Sequence, residues 1–170
     1  MYADKVRMKI LLICYACIIK ILYSLRSIMK SEETIDFHVR WAWLKISKMY
    51  NQEASKHGIT QSIGFILLNI DPRQGTPSTQ LGPKMGMEPT SLSRTLKTME
   101  EKGMISRLQD ESDRRIMRIF LTEEGKRLRE ISKESVVRFN KKISENVSDE
   151  KLQNFIDVIQ IIEQNTVKAS

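Results

Sequence analysis

The feature that most constrains this chain is a short amphipathic segment bracketed by a proline and a glycine. Pro89 suits the first turn of a helix, because its missing N–H would have no intrahelical partner there. Leu92, Leu96 and Met99 recur at helical spacing and give the segment one apolar face. Gly103 suits the end of the helix, since a left-handed conformation costs glycine little. The sequence therefore predicts a short helix that begins at Pro89 and ends before Gly103.

The face opposite the apolar stripe is polar and cationic, and its first acidic residue is Glu100. Upstream, residues 78–81 predict the start of another short helix, and Gly86 lies between the two. Two short helices joined by a glycine-containing turn form a helix-turn-helix, whose second helix can lie in the major groove of DNA. Because many surface helices have a polar face, the prediction depends on the order of the elements.

Two β-strands are predicted downstream, on either side of a charged loop. Residues 104–108 and 116–121 have strand-like composition, and they flank the loop of residues 109–115. The loop is so charged that we expect all of it to be exposed. A hairpin with a basic tip after the second helix makes a winged helix-turn-helix. We therefore expect a mainly α fold with a small β-hairpin wing and double-stranded DNA as the partner.

Several motifs resemble those of the multiple-antibiotic-resistance regulator (MarR) family. The resemblance spans about residues 31–168, and its motifs are residues 59–61, residues 92–96, residues 99–105 and the wing run from Arg107 to Gly125. It implies a homodimeric transcriptional regulator, usually a repressor, whose N- and C-terminal helices form the dimer interface. One departure is Gln80-Leu81-Gly82, where the family more often has an acidic-Leu-Ala run. Pro83 follows, so we expect a short or bent helix there.

The predicted organisation has four parts. Residues 1–28 form a hydrophobic extension, 29–57 an N-terminal dimerisation helix, 58–122 the winged helix-turn-helix, and 123–170 the C-terminal dimerisation helices. Within them, helices are expected over residues 32–56, 61–69, 123–146 and 149–167, on the basis of their apolar periodicity. Thr60, Ser78, Thr122 and Ser148 are expected as helix N-caps.

Residues 1–28 differ from the rest of the chain. The chain has a net charge of +7, but this segment has five basic residues and one acidic, so global basicity is weak evidence for DNA binding. Its apolar run, residues 10–19, ends at Lys20, well short of the ~20 residues that span a bilayer. No stable membrane insertion is expected. The segment is either a hydrophobic helix that packs on a partner or membrane, or the product of a start assigned before Met29, which we favour.

Other functional classes find little support in the sequence. Cys14 and Cys17 are the only cysteines, too few for a structural zinc site alone, and their absence elsewhere fits a reducing cytoplasm. No glycine-rich phosphate loop, nucleophile elbow or metal-ligand cluster occurs, so no enzyme, cofactor or metal is expected. The alternative to a regulator is a winged-helix interaction protein, associated with a membrane or partner through residues 1–28 and without specific DNA binding.

The DNA contacts are predicted from the helix-turn-helix and the wing. Ser91 and Arg94 lie in the first turns of the second helix, where base edges are contacted. Phosphate contacts are expected from Thr90, Ser93, Lys97 and Thr98, and from Thr60, Ser78 and Gln80 at helix N-termini. The resemblance implies that Arg115 enters the minor groove, that Asp113 orients it, and that Arg114 contacts phosphate. The alternative for Asp113 and Arg115 is a pair that only stabilises the hairpin.

The resemblance also implies a small aromatic effector, bound between the dimerisation helices and the winged module. The aromatic and polar candidates for that site are His38, Trp41, Trp43, Tyr50 and Phe65. Each of these residue types is more often packed in a core than in contact with a ligand. A thiol-based sensor is not expected, because no cysteine follows Met29.

Overall fold

The computed structural model describes residues 31–110 and 113–167, so the predictions for residues 1–28, including Cys14 and Cys17, lie outside the described residues. The chain divides into two units, Met1–Met49 and Tyr50–Ser170. In the first unit, a single 3-10 turn, Ser31–Glu33, precedes helix α1, Ile35–Ser55, which continues into the second unit. No residue of α1, all of which is described, is buried. The helix predicted over residues 32–56 is therefore present but starts three residues later.

The second unit contains the winged helix-turn-helix followed by two longer helices. Its elements are α2 (Gln61–Asn69), β1 (Thr76–Pro77), α3 (Ser78–Met85), α4 (Pro89–Glu101), β2 (Ile105–Gln109), β3 (Met117–Leu121), α5 (Glu123–Ser144) and α6 (Asp149–Val167). The predicted mainly α fold with a β-hairpin wing is confirmed. Helix α5 ends two residues before the predicted end.

Three of the four predicted helix caps are present. The Ile63 N–H donates to Thr60 Oγ1 (3.3 Å), the Gly125 N–H to Thr122 Oγ1 (3.1 Å), and the Lys151 N–H to Ser148 Oγ (3.5 Å). The prediction for Ser78 is wrong, because Ser78 is the first residue of α3 and Pro77 holds the cap position without a side-chain hydrogen bond. The chain enters α3 directly from β1, so the helix begins one residue earlier than a serine cap would allow.

Helix α3 is short, as predicted from Pro83. It has eight residues with Pro83 inside it, and it ends at Gly86, which adopts a left-handed conformation (φ 59°). The Gly86 N–H donates to the carbonyls of Gly82 and Pro83, which closes the helix. The turn between α3 and α4 therefore depends on a conformation that favours glycine.

The wing belongs to a three-stranded antiparallel sheet with strand order β1-β3-β2. The hairpin register runs from Ile105 opposite Leu121 to Gln109 opposite Met117. Strand β1 was not predicted, because two residues, one of them proline, show no alternating pattern. It pairs Thr76 with Ile119 and so attaches the chain before α3 to the wing.

The winged module consists of the elements from Gln61 to Leu121, that is α2 to β3. Each of its helices and its hairpin contribute to its core. Leu92, Leu96 and Met99 of α4 are buried, as the apolar stripe predicts. The largest side chains that are fully buried are Ile66, Leu67, Ile70, Leu81, Met99, Ile119 and Leu128. Leu128 brings the first part of α5 into this core, and a Cβ at Gly125 would overlap the Met104 carbonyl oxygen. The start of α5 is thus closely packed on the wing.

Helix α6 differs from these elements in its burial. No residue of α6 whose side chain is described is buried. Its apolar residues Phe155, Ile156, Val158 and Ile161 are between 40% and 59% exposed. Among the described helices, none combines the length and the apolar composition needed to cross a bilayer.

Candidate nucleic-acid interface

Helix α4 has one buried and one exposed face. Leu92, Leu96 and Met99 pack into the core with at most 6% of their surface exposed. The predicted DNA-contacting residues all lie on the exposed part of the helix: Thr90, Ser91, Ser93, Arg94, Lys97 and Thr98. The first turn of α4 contains no acidic residue, although Glu88 holds the cap position just before it. An anionic polymer would meet a polar and cationic surface.

The polar side chains of α4 differ in how firmly they are held. Thr95 Oγ1 donates to the Ser91 carbonyl at 2.9 Å, and Thr98 Oγ1 donates to the Arg94 carbonyl at 3.2 Å. Lys97 Nζ lies 3.8 Å from Glu101 Oε1, in a pair whose side chains are 74% and 61% exposed. Such a loose surface pair contributes little to stability, so the Lys97 ammonium can reach a phosphate. The threonine hydroxyls, in contrast, are fixed on the helix surface.

The wing tip holds Arg115 in one orientation. Its Nε donates to Asp113 Oδ1 (3.0 Å) and its Nη2 to Asp113 Oδ2 (2.9 Å), a two-point pair of fixed geometry. The side-chain hydrogen bonds from Arg115 hold the pKa of Asp113 below its usual range, and Asp113 raises the pKa of Arg115. The Arg115 side chain is 89% exposed, and neighbouring Arg114 is also exposed. The predicted contact between Asp113 and Arg115 is present.

The wing base contradicts the prediction that the whole charged loop is exposed. Asp110 is buried, with 5% of its surface exposed. Its Oδ2 accepts from Arg118 Nε at 2.8 Å and lies 2.7 Å from Arg118 Nη2, so the charge is compensated where water is excluded. Sequence reasoning missed Arg118. An arginine within the apolar strand 117–121 was the signal that it has a buried partner.

The other predicted DNA contacts lie on α2 and α3. Thr60 is exposed at the start of α2, where its hydroxyl caps the helix. Gln80 is exposed in the first turn of α3, and Ser78 is half-buried at its start. The structure therefore leaves Thr60 and Gln80 accessible and limits the access to Ser78.

Two of the five aromatic-site candidates line one cavity. Tyr50 and Phe65 are half-buried, with ring centroids 6.0 Å apart, and Phe139 lies 5.8 Å from Tyr50. Burial raises the pKa of Tyr50. Tyr50 and Phe65 border a mainly apolar cavity of about 30 Å³ between the end of α1, α2 and α5. Glu53, Gln61, Ser132 and Ser135 contribute its polar groups.

His38, Trp41 and Trp43 do not line this cavity. The expectation that they pack in a core is wrong, since His38 is exposed and the two tryptophans are 54% and 51% exposed. Phe37 stacks on Trp41 with centroids 6.1 Å apart and meets His38 edge-on at 5.7 Å. Within residues 31–110 and 113–167, no group of three or more His, Cys, Asp or Glu residues could hold a metal ion.

Comparison with known proteins identifies the family of this winged module. A family model described as "MarR family" matches residues 59–117, which include α2, α3, α4 and the wing up to the start of β3. The HTH-type transcriptional regulator YdgJ of Bacillus subtilis (strain 168), itself uncharacterized, is 33% identical over 108 residues. The winged module belongs to the MarR family. The YdgJ alignment covers 64% of this chain and 66% of YdgJ, just under two thirds of that relative.

Several solved structures superpose on most of this chain. The S. aureus MepR–DNA complex gives a TM-score of 0.72 at 19% identity and covers 78% of this chain and 98% of MepR. CouR from Rhodococcus jostii RHA1, bound to p-coumaroyl-CoA, gives a TM-score of 0.67 at 25% identity, and the match covers 77% of this chain and 92% of CouR. The fold is therefore shared well beyond the segment that the family model matches.

Proposed function

We propose that this protein is a homodimeric transcriptional regulator that binds a pseudo-palindromic operator in double-stranded DNA. The observation that carries the proposal is α4, which buries its apolar stripe and leaves a polar, cationic face exposed beside a wing with two exposed arginines. A helix of this kind can enter the major groove, with the wing on the neighbouring minor groove. We expect the protein to act as a repressor. We expect it in the cytoplasm, where a chromosomal operator would lie.

On α4, we assign base contacts to Ser91 and Arg94. Both lie in the first turns of the helix and are exposed. An arginine that bonds guanine with two hydrogen bonds contributes about 1–3 kcal/mol of discrimination against the wrong base. Thr90, Ser93, Lys97 and Thr98 are assigned to phosphates, which set the position of the protein on DNA without specifying sequence. To donate to a phosphate, the Thr98 hydroxyl would exchange its bond to the Arg94 carbonyl.

In the wing, we assign Arg115 to the minor groove and Arg114 to a phosphate. Support comes from the pairing of Arg115 with Asp113, which presents an exposed guanidinium in a fixed orientation. Thr60, Ser78 and Gln80 are assigned to phosphates as well, because they lie at the starts of α2 and α3 and the N-terminus of a helix favours an anion. Because Ser78 is half-buried, its backbone rather than its hydroxyl is the better candidate there.

The dimer is proposed from the exposed apolar faces of the terminal helices, within the predicted segments 29–57 and 123–170. In α6, Phe155 and Ile161 are more than half exposed, and in α1 so are Ile35, Trp41 and Trp43. Apolar surface of this extent on a monomer is a liability unless a partner covers it. A second copy related by a two-fold axis would cover the same faces on both chains and would match a pseudo-palindromic operator.

We also propose that a small aromatic effector binds beside Tyr50 and Phe65. The cavity they border is about 30 Å³, much smaller than the roughly 300–1,000 Å³ of ligand pockets. An aromatic ligand could therefore enter only after one of these rings moves. Calorimetric titration with phenols and aromatic carboxylates, on the wild type and on Phe65→Trp, tests this. Equal binding by both would exclude this cavity as the site.

The DNA-binding proposal is tested by selection from a randomised duplex library with the full chain, followed by fluorescence anisotropy. We expect an enriched pseudo-palindrome with half-sites about 10 base pairs apart. We also expect a preference of roughly 10³ or more over an unrelated duplex, and affinity that falls steeply with salt. Selection that enriches no motif, with equal weak binding to all duplexes, would refute specific DNA binding and favour an interaction protein.

A further inference from the structure

The base of the wing contains a largely buried ion pair between Asp110 and Arg118, which is less accessible to DNA than the tip of the wing. The Asp110 side chain is 6% exposed and that of Arg118 is 29% exposed, whereas Arg115 at the wing tip is 89% exposed. Burying a carboxylate is costly, and a pair of apolar residues of similar volume often stabilises a protein as well or better. What an Asp–Arg pair adds is direction, because the planar guanidinium fixes the groups it bonds.

Arg118 uses a third nitrogen to bind the chain that precedes the helix-turn-helix. Its Nη1 donates to the carbonyl of Gln74 at 3.0 Å and to that of Gly75 at 3.4 Å. One guanidinium thus bonds Asp110 in the wing and the loop that leads through β1 into α3. Any change in the position of the wing relative to this loop would break these bonds.

The loop that Arg118 binds is itself firmly held. Asp71 Oδ1 accepts from the N–H groups of Arg73 and Gln74, both at 2.8 Å. Gly75 adopts a left-handed conformation (φ 63°), and a Cβ there would lie 2.7 Å from the Ile119 carbonyl oxygen. The loop therefore lies directly against β3, and it gives Arg118 a fixed support rather than a mobile one.

Hydrogen bonds continue from Asp110 to the wing tip. Asp110 Oδ1 accepts from the Asp113 N–H at 3.3 Å, and the Asp113 carboxylate binds the Arg115 guanidinium. The path thus runs from Gln74 through Arg118, Asp110 and Asp113 to Arg115, and each step is a directional contact. The orientation of the exposed Arg115 is linked in this way to the chain that enters the helix-turn-helix.

We propose that Asp110 and Arg118 are positioning residues that set the wing tip relative to the helix-turn-helix, and so place Arg115 for DNA without contacting DNA themselves. This inference rests on the proposed function, because it assumes that Arg115 binds DNA. A purely structural pair would affect folding stability but would not act through Arg115. The two roles are separated by asking whether the effect of Asp110 on DNA binding requires Arg115.

The test is a double-mutant cycle on DNA affinity, with the full chain and the duplex that the wild type selects. The variants are Asp110→Asn, Arg115→Ala and the double variant. We expect Asp110→Asn to weaken specific binding on the order of tenfold, comparable to the loss of one good groove contact. In the Arg115→Ala background we expect it to have little further effect, since residues that act through one another are not additive.

Glu124→Gln is the matched control. Glu124 pairs with Arg127 through two bonds of 2.8 and 2.7 Å, the same arrangement on the exposed surface of α5, so its loss should leave DNA affinity unchanged in both backgrounds. If Asp110→Asn does not fold, as judged by circular dichroism, Arg118→Lys replaces it in the cycle. A lysine keeps the charge but cannot bond Asp110 and the two carbonyls together.

The outcomes separate this inference from the function on which it rests. Equal losses from Asp110→Asn with and without Arg115, or no loss at all, would overturn the positioning role while leaving specific DNA binding intact. If the wild type selects no duplex, the proposed function fails and this inference fails with it. The positioning role would be supported if Asp110→Asn lowers DNA affinity in the wild type but not in the Arg115→Ala background, and if the Glu124→Gln control leaves affinity unchanged.

Discussion

The winged module and helix α6 bury their apolar residues to very different extents. In the module, Leu81 and Met99 have no exposed surface, whereas Phe155 and Ile161 in α6 are 59% and 57% exposed. One chain is therefore sufficient to close the core of the DNA-binding module but not to cover α6. Under the proposed function the two regions have different partners, DNA for the module and a second copy of the chain for α6. Substitutions in the two regions should accordingly affect different measurements.

The largest effect is expected in α6, from Phe155→Glu. Burial of a phenylalanine stabilises by about 1.5–3 kcal/mol, and a two-fold dimer would bury it twice, which makes about 3–6 kcal/mol. We expect the dimer dissociation constant to rise by roughly 10²–10⁴, and operator affinity to fall with it. Sedimentation analysis over a range of protein concentrations measures this. Gln160→Glu adds the same charge to an exposed polar position of α6 as the control, and an unchanged dimer in both variants would contradict the proposed interface.

The next effect is expected in the core of the winged module, from Leu81→Ala. Leu81 is fully buried, and such truncations cost about 2–5 kcal/mol of unfolding free energy. Urea denaturation should show this loss, while the dimer dissociation constant should stay unchanged. Leu108→Ala is the matched control, because Leu108 is 57% exposed on β2 and its truncation should change stability by less than about 0.5 kcal/mol. Equal losses in both variants would mean that the module is not closed by its own core.

Within the module, α4 and the wing are expected to differ in the kind of DNA contact they make. Arg94→Ala should cost about 1–3 kcal/mol at the preferred operator and less at mismatched duplexes, because base contacts specify sequence. Arg115→Ala should reduce affinity more evenly across all duplexes. Competition binding against a series of single-base mismatches measures both. Equal losses of specificity in the two variants would contradict this division between helix and wing.

The features that could be predicted from sequence are those set by neighbouring residues. Pro89, Gly103 and the apolar stripe between them define α4 locally, and the predicted bounds and burial of α4 are confirmed. Thr60 and Thr122 likewise cap the helices predicted for them, because a cap involves residues only three apart. The order of these local elements was sufficient to predict the winged helix-turn-helix.

The features that were missed depend on residues far apart in the chain. Strand β1 exists only because Thr76 pairs with Ile119. Arg118 compensates the charge of buried Asp110, and Arg118 in turn bonds Gln74, 44 residues away. Alternation and loop composition contain no information about such pairs. A charged residue within an apolar strand, as at Arg118, is the sequence feature that should have suggested one.

The smallest effect is expected at the wing tip, where the charged pair is exposed rather than buried. Because Arg115 lowers the pKa of Asp113, this carboxylate is stabilised in the folded chain. A depressed aspartate pKa contributes stability above its unfolded value of about 3.9, and the contribution is lost as pH falls through the lower folded value. The unfolding free energies of the wild type and Asp113→Asn should therefore converge as the pH falls below about 4.

Carboxyl carbon NMR titration gives the direct measurement of this pair. In Arg115→Ala we expect the pKa of Asp113 to rise toward its usual range, because the side-chain hydrogen bonds that lower it are removed. Glu124 is an internal control in the same spectra, since Arg127 alone lowers its pKa and should continue to do so. If the pKa of Asp113 does not respond while Glu124 behaves as expected, then Arg115 is not held at the wing tip in solution. In that case, Arg115→Ala would lower DNA affinity evenly across duplexes only if the Arg115 side chain becomes ordered when the protein binds DNA.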